Sequence, residues 1–124
     1  MFGFYNSVLS VNATLKSFEI KIIPDSVLCQ TLGGKGLATY LLNTHNPAGV
    51  DPLGPDNHIV VASGPVAGTA IWGSCRHGVY TKSPQTGFYA ESYSGGKAGD
   101  RIASTGFDAV IIRGASEEPL WLEV

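Results

Sequence analysis

Charge, cysteine and long apolar runs are all scarce in this sequence, and each shortage closes off a class of function. Eight lysines and arginines stand against ten acidic residues, for a formal net charge of −2. The basic residues are scattered, whereas a nucleic-acid partner needs a basic face to neutralise phosphates, so no nucleic-acid partner is expected. Cys29 and Cys75 form no C-x-x-C pair, and His45, His58 and His77 have no metal-ligand spacing among themselves. Neither an iron-sulfur cluster nor a zinc site can be built from this chain alone. No stretch approaches the roughly 20 apolar residues of a membrane span. The start M-F-G-F-Y-N-S-V-L lacks the basic lead and apolar centre of a secretion signal. The expectation is a soluble, cytoplasmic protein with no membrane partner.

What the chain has in plenty is glycine, 16 of 124 residues, well above the usual share of roughly 7%. Hydrophobic residues at 44% and charged residues at 15% describe a globular chain of one domain's size, rich in turns. The glycines concentrate, with serine and threonine, between residues 63 and 99. There they flank Arg76 on one side and the loop Ser94-Gly95-Gly96 on the other. Glycine lets backbone approach a ligand closely and exposes its amides, so this segment suggests a surface shaped around something flat, polar and anionic.

Along the chain, residues 4–11 and 18–23 are β-rich runs around a polar connection and predict an opening antiparallel hairpin. Pro24 ends the second strand, and Asp25 or Ser26 is placed to cap a short helix through Thr31, closed by Gly33-Gly34. Residues 36–45 carry a helical apolar stripe, ended by Asn46-Pro47. Three prolines and two glycines make residues 46–57 an irregular, stiff connector. Residues 58–62 predict a strand buried on both faces, and 78–82 with 87–93 a second hairpin. A short helix over 97–105 with Gly106 as its C-cap, a core strand over 108–113 and a final alternating strand over 120–124 complete the pattern. The expected fold class is α+β, a mixed or antiparallel β-sheet with a few short helices on one face. Because the sequence stops inside its last expected strand, residues 1–124 are expected to form a single partial domain.

Few motifs carry chemistry. The two Gly-Lys pairs fail the phosphate-loop pattern: Cys29 and Glu91 occupy the positions that need glycine, and Gly36 and Ala98 the positions that need a hydroxyl. Ser63-Gly64 and Ser83-Pro84 lack a nucleophile-elbow context, and Asp51 and Asp108 fit turns and strand ends. Cys29, in an apolar stretch, reads as a small buried hydrophobe. Cys75 reads as packing, with a thiol activated by Arg76 as the alternative. The run Tyr93-Ser94-Gly95-Gly96-Lys97 joins a strand to a helix start, which is either an ordinary turn or a place where free N–H groups favour an anion. Arg76 is either a surface charge or a planar fork of donors set among small residues for a phosphate or a heterocycle edge.

With these segments in view, the chain resembles the N-terminal domain of the tungsten-containing aldehyde:ferredoxin oxidoreductase family. The matching segments are G-G-K-G-L-A-T-Y-L-L at 33–42, V-D-P-L-G-P-D-N at 50–57, A-S-G-P-V-A-G-T at 62–69, the arginine loop through T-K-S-P-Q-T-G-F at 81–88, S-G-G at 94–96 and T-G-F-D-A-V-I-I-R-G at 105–114. Together they cover nearly the whole chain in the family's order. The resemblance implies one half of a domain that cradles a tungsten (or molybdenum) bis-pterin cofactor. Arg76 falls on the family's arginine between a pterin and the iron-sulfur cluster. Tyr93 falls where relatives often carry asparagine, whose backbone carbonyl contacts the Mg²⁺ bridging the pterin phosphates. Gly95 and Ser94 would approach the pterin or its phosphate. Lys35 replaces an arginine common in the family. The second half of the domain, the 4Fe-4S ligands and the later pterin motifs are absent from this sequence.

The implied reaction is aldehyde plus water to carboxylic acid, with electrons passing to ferredoxin. No residue present is expected to be catalytic, so the chain is expected to be inactive alone and completed by further domains or a partner subunit carrying the cluster. The alternatives are a free-standing homodimeric pterin-binding module, paired through residues 120–124, and a structural remnant that binds no cofactor.

Overall fold

The structure, a computed structural model, describes residues 2–124. Strands β1 (Ser7–Asn12) and β2 (Ser17–Ile22) form the opening hairpin, and the Leu15 amide donates to Asn12 Oδ1 at 3.1 Å to shape its turn. Helices α1 (Asp25–Thr31) and α2 (Gly34–His45) follow, then β3 (Ile59–Ser63), the hairpin β4 (His77–Lys82) and β5 (Tyr89–Ser94), helix α3 (Lys97–Ala103) and strand β6 (Ala109–Arg113). No helix among the described residues is long and apolar enough to cross a membrane.

All six strands belong to one mixed sheet in the order β2-β1-β6-β3-β4-β5, giving an α+β fold. The last strand is inserted at the centre: β6 runs parallel to β1 and antiparallel to β3. Asp108, just before β6, fixes this insertion. One carboxylate oxygen accepts the Tyr5 amide at 3.0 Å, the other accepts the Ser7 amide at 3.2 Å, and the Asp108 amide donates to Ser7 O at 2.8 Å. Buried Asp108 therefore serves a strand end, with its acceptors satisfied as burial requires.

One face of the sheet lies under α1 and α2. Val8, Val60, Ala62, Tyr80, Ala109 and Ile111 of the strands pack there with Leu28, Leu37, Ala38, Leu41 and Leu42 of the helices. The helices approach each other closely, since a Cβ on Gly36 would sit 2.1 Å from Thr31 O. The helices do not share one face as expected: α3 lies on the opposite side, where it covers only a small cluster in which Ile102 meets Val61 and Val110.

Five local expectations are corrected. Residues 120–124 form no strand: β6 is paired on both sides, and neither edge strand, β2 nor β5, takes the segment as a further neighbour. Pro24, in extended conformation, precedes α1 as its N-cap, so Asp25 lies in the first turn, where its carboxylate accepts from Asn6 Nδ2 and faces the positive helix end. Leu32, at φ 56°, ends α1, while Gly33 and Gly34 open α2. Helix α3 stops at Ala103 with Ser104 as its C-cap, ahead of Gly106. Cys29 is exposed, because Leu28 takes the inward phase of α1 and the next residue is turned away from the core.

The connector at residues 46–57 is held by a polar network. Asn46 Oδ1 accepts from the His58 amide at 3.0 Å and pairs with its Nδ1 at 2.7 Å. Asn57 Nδ2 reaches Pro52 O at 2.8 Å and Thr81 Oγ1 at 3.1 Å. Burial, and then the His45 ring 5.8 Å away, hold the His58 imidazole below its ordinary value of 6.5. The fold thus favours neutral His58. That contribution is complete above pH 6.5 and is lost as pH falls from there through the lower folded-state value. Thermal unfolding followed by circular dichroism is expected to show a melting temperature that declines below that pH, with His58→Gln flattening this part of the profile.

Candidate functional site

The register of the second hairpin assembles the site. His77 pairs with Ser94 and Gly78 with Tyr93. Arg76, one residue before β4, and Gly95, one residue after β5, therefore meet at the open end of the hairpin. The meeting is close: a Cβ on Gly95 would lie 3.2 Å from Arg76 Nη1, 3.3 Å from Cζ and 3.4 Å from Nε. Three atoms of the guanidinium at nearly equal distance mean that its plane lies across the glycine. The side chain is exposed, and among the described residues no carboxylate pairs with it.

Helix α3 supports this arrangement from behind. A Cβ on Gly99, buried in the helix, would sit 2.2 Å from Cys75 O and 3.3 Å from the Arg76 amide nitrogen. The helix can come this near the arginine's own backbone because that position has no side chain. With seven residues, α3 is too short for its dipole to contribute much at the Ser94-Gly95-Gly96 turn, and its N-cap, Gly96, makes no side-chain capping bond.

Ser94 is exposed beside Gly95, and its hydroxyl reaches Gly95 O only at 3.4 Å. Tyr93 points its ring the other way, toward the α2 side of the sheet, where it meets Tyr80 edge-on at 5.9 Å and 87°. Tyr80 lies along Gly78, at which a Cβ would fall 2.2 Å from the Tyr80 hydroxyl oxygen. Burial and then the Tyr93 hydroxyl push the Tyr80 phenol well above its ordinary value. The edge strand β5 is tied to α2 by two further contacts: Lys35 Nζ lies 2.8 Å from a Glu91 carboxylate oxygen, and Thr39 Oγ1 lies 3.0 Å from Tyr89 Oη.

The structure thus places Arg76, Ser94 and Gly95 together on an open surface. Tyr93 can join them only through its main chain. Depressions of 370 Å³ beside Ser63 and Asp108, and of 450 Å³ beside Asn46 and Tyr89, lie elsewhere. Among the described residues no group of three His, Cys, Asp or Glu side chains could hold a metal ion. Sequence reasoning missed two parts of the site. Gly99 carried a signal, since a glycine inside a helical stretch often marks a close approach. His77 carried none: its Nδ1 is buried with no hydrogen-bond partner, next to Arg76 in the chain and opposite Ser94 in the sheet.

The sequence profile of the aldehyde ferredoxin oxidoreductase N-terminal domain matches residues 8–124. The chain is 36% identical over its whole length to a tungsten-containing aldehyde ferredoxin oxidoreductase of Thermococcus kodakarensis, and 34% identical to one of Pyrococcus furiosus. It spans 20% of the length of each. Among solved structures it superposes with a TM-score of 0.90 and 33% identity on a chain of the active-site complex BamBC of benzoyl coenzyme A reductase in complex with 1,5-dienoyl-CoA. That match covers 94% of this chain and 18% of the other.

The two glycines against the arginine loop are expected to respond differently to a methyl group. Gly99→Ala drives Cβ into a main-chain carbonyl and is expected to cost about 2 kcal/mol or more, at the upper part of the overpacking range. Gly95→Ala meets only the end of a flexible side chain and is expected to cost less than about 1 kcal/mol. Urea unfolding of both variants measures the difference, and equal costs would contradict the packing described.

Proposed function

Because this chain belongs to the family of aldehyde ferredoxin oxidoreductase N-terminal domains, we propose that its open arginine surface cradles a tungsten (or molybdenum) bis-pterin cofactor. It would do so as the N-terminal part of an oxidoreductase converting aldehyde and water to carboxylic acid and passing electrons to ferredoxin. When bound, that cofactor supplies the redox chemistry, and the protein supplies position and electrostatics. The observation that carries the reading is the Arg76 guanidinium spread over Gly95, exposed and unpaired by any carboxylate among the described residues.

The residues present fit such a group. A planar fork of donors suits a phosphate or the edge of a pterin ring. The missing side chain at Gly95 leaves room for a flat ligand to approach main chain. Ser94 adds a hydroxyl held by only one long contact. The Tyr93 carbonyl would accept a hard cation such as Mg²⁺ bridging the phosphates, with oxygen as the preferred ligand atom. Its ring, anchored on Tyr80, takes no part. None of these groups transfers a proton to substrate, so the chain alone would be inactive. The 4Fe-4S cluster and the substrate pocket would come from further domains or a partner subunit, in keeping with relatives of which this chain spans 20%. A cytoplasmic location fits this reading. A homodimer completing the cradle drew its support from a pairing edge at residues 120–124, which are not a strand.

Arg76→Ala tests the proposal. The protein and its variant are purified from a tungstate-supplied host with whatever subunits accompany them, and tungsten and pterin are measured per chain. Charge-assisted hydrogen bonds contribute about 1.5–3 kcal/mol, so retention of the cofactor is expected to fall about tenfold or more, with the melting temperature unchanged. Equal cofactor content in the two proteins would overturn the assignment.

A further inference from the structure

The sheet face away from α1 and α2 is apolar far beyond what α3 covers. The strand registers place two rows across it. Phe18, Val11, Ile112 and Ile59 form one, and Ile20, Leu9, Val110, Val61 and Val79 the other. Ile102 of α3 packs over Val61 and Val110 in the second row. Val11 and Ile112 of the first row are partly buried against this cluster, while the two ends of that row and the β2 end of the second stay open: Phe18 is 72% exposed, Ile20 57% and Ile59 42%. Ile22, at 75%, extends the patch along β2. No residue in either row is ionisable.

An apolar surface of this kind, continuous across adjoining strands, marks a binding face. β2 is also an edge strand, with its charged residues Glu19 and Lys21 alternating with the apolar ones and paired at 3.1 Å. These charges lie on the α1 and α2 side, where Lys21 pairs with core Val8, so the opposite face of the edge is left wholly apolar.

We propose that this face is the docking surface for the catalytic remainder of the oxidoreductase, carried on the same polypeptide or on a separate subunit and presenting an apolar layer to the sheet. The course of the last residues argues for this occupant. Leu120 reaches the open row and closes a depression of 290 Å³ with Leu9, Val11 and Phe18. Trp121, Leu122 and Val124, which follow it in the chain, are also exposed. In the relatives that this chain matches over 20% of their length, the polypeptide leading to the other domains departs from the matched N-terminal portion. Here Leu120 lies against the uncovered face. The proposal rests on the reading of the chain as one part of a larger oxidoreductase.

The chain is co-expressed with the portion of the Thermococcus kodakarensis relative that lies beyond the matched region, and the species formed are identified by native mass spectrometry. The wild-type chain is expected to form a one-to-one complex. The double variant Phe18→Glu/Ile20→Glu is expected to bind at least about 30-fold more weakly, as for loss of an interface hot spot. Its circular dichroism melt is expected to match wild type. Leu53→Glu, which changes a still more exposed apolar residue elsewhere, is expected to bind as wild type does. If the wild type and the double variant assemble equally, the docking face is wrong and the reading of the chain as part of an oxidoreductase stands. If the wild type forms only a dimer of itself that the double variant abolishes, the occupant is a second copy and the proposal is overturned. If the wild type forms no complex of either kind, the reading of an incomplete oxidoreductase fails, and the docking proposal with it.

Discussion

The insertion of β6 between β1 and β3 is the constraint on which the rest of the structure depends. Without it the hairpin β1-β2 and the antiparallel set β3-β4-β5 share no hydrogen bonds, since each meets the other only through β6. Asp108 secures the junction by accepting amides from Tyr5 and Ser7, more than a hundred residues earlier in the chain. The helices follow from that closure. Leu37 and Leu41 of α2 pack against strands from both parts of the sheet, Val8 and Ile111 on one side and Val60 and Tyr80 on the other. A continuous core exists only once the two parts are joined.

From this follows an asymmetry between the faces. The side under α1 and α2 holds most of the buried apolar residues, while the other has a single two-turn helix over a small cluster. α3 sits where it does because Gly99 lets it close on the Cys75 carbonyl. In that position it braces the arginine loop and leaves the β2 end of the sheet uncovered. The arginine surface and the bare apolar face are thus two results of the placement of one short helix.

Much of this was legible in the sequence. Both hairpins followed from β-rich runs around polar turns, and the meeting of Arg76 with Gly95 was implicit in the second hairpin, whose strands bring their outer ends together. What escaped depended on contacts between distant elements. Residues 120–124 have the alternation of a strand, yet alternation does not bring a segment into register with an edge, and neither β2 nor β5 pairs with them. Cys29 lies in an apolar stretch, and one residue's rotation about the helix axis decides that Leu28 is buried and its neighbour exposed. The stacking of Tyr80 on Gly78 and of α3 on the arginine loop are close approaches between main chain and neighbouring groups. Composition and periodicity hold no record of such distances.

Tyr93 shows what it means for a site to present main chain. Its ring is committed to Tyr80 on one side of the sheet, while its carbonyl belongs to the turn that runs on to Gly95. The two parts of the residue are physically separate, a ring used for packing and a carbonyl left to the turn. Selection on recognition would therefore be blind to the identity of the side chain so long as the strand keeps its register. An alanine scan across the turn would report the loss of an aromatic contact and pass over the carbonyl. The information that specifies this part of the surface is held in the path of the backbone, and only changes that bend that path, a proline or an inserted residue, would write over it.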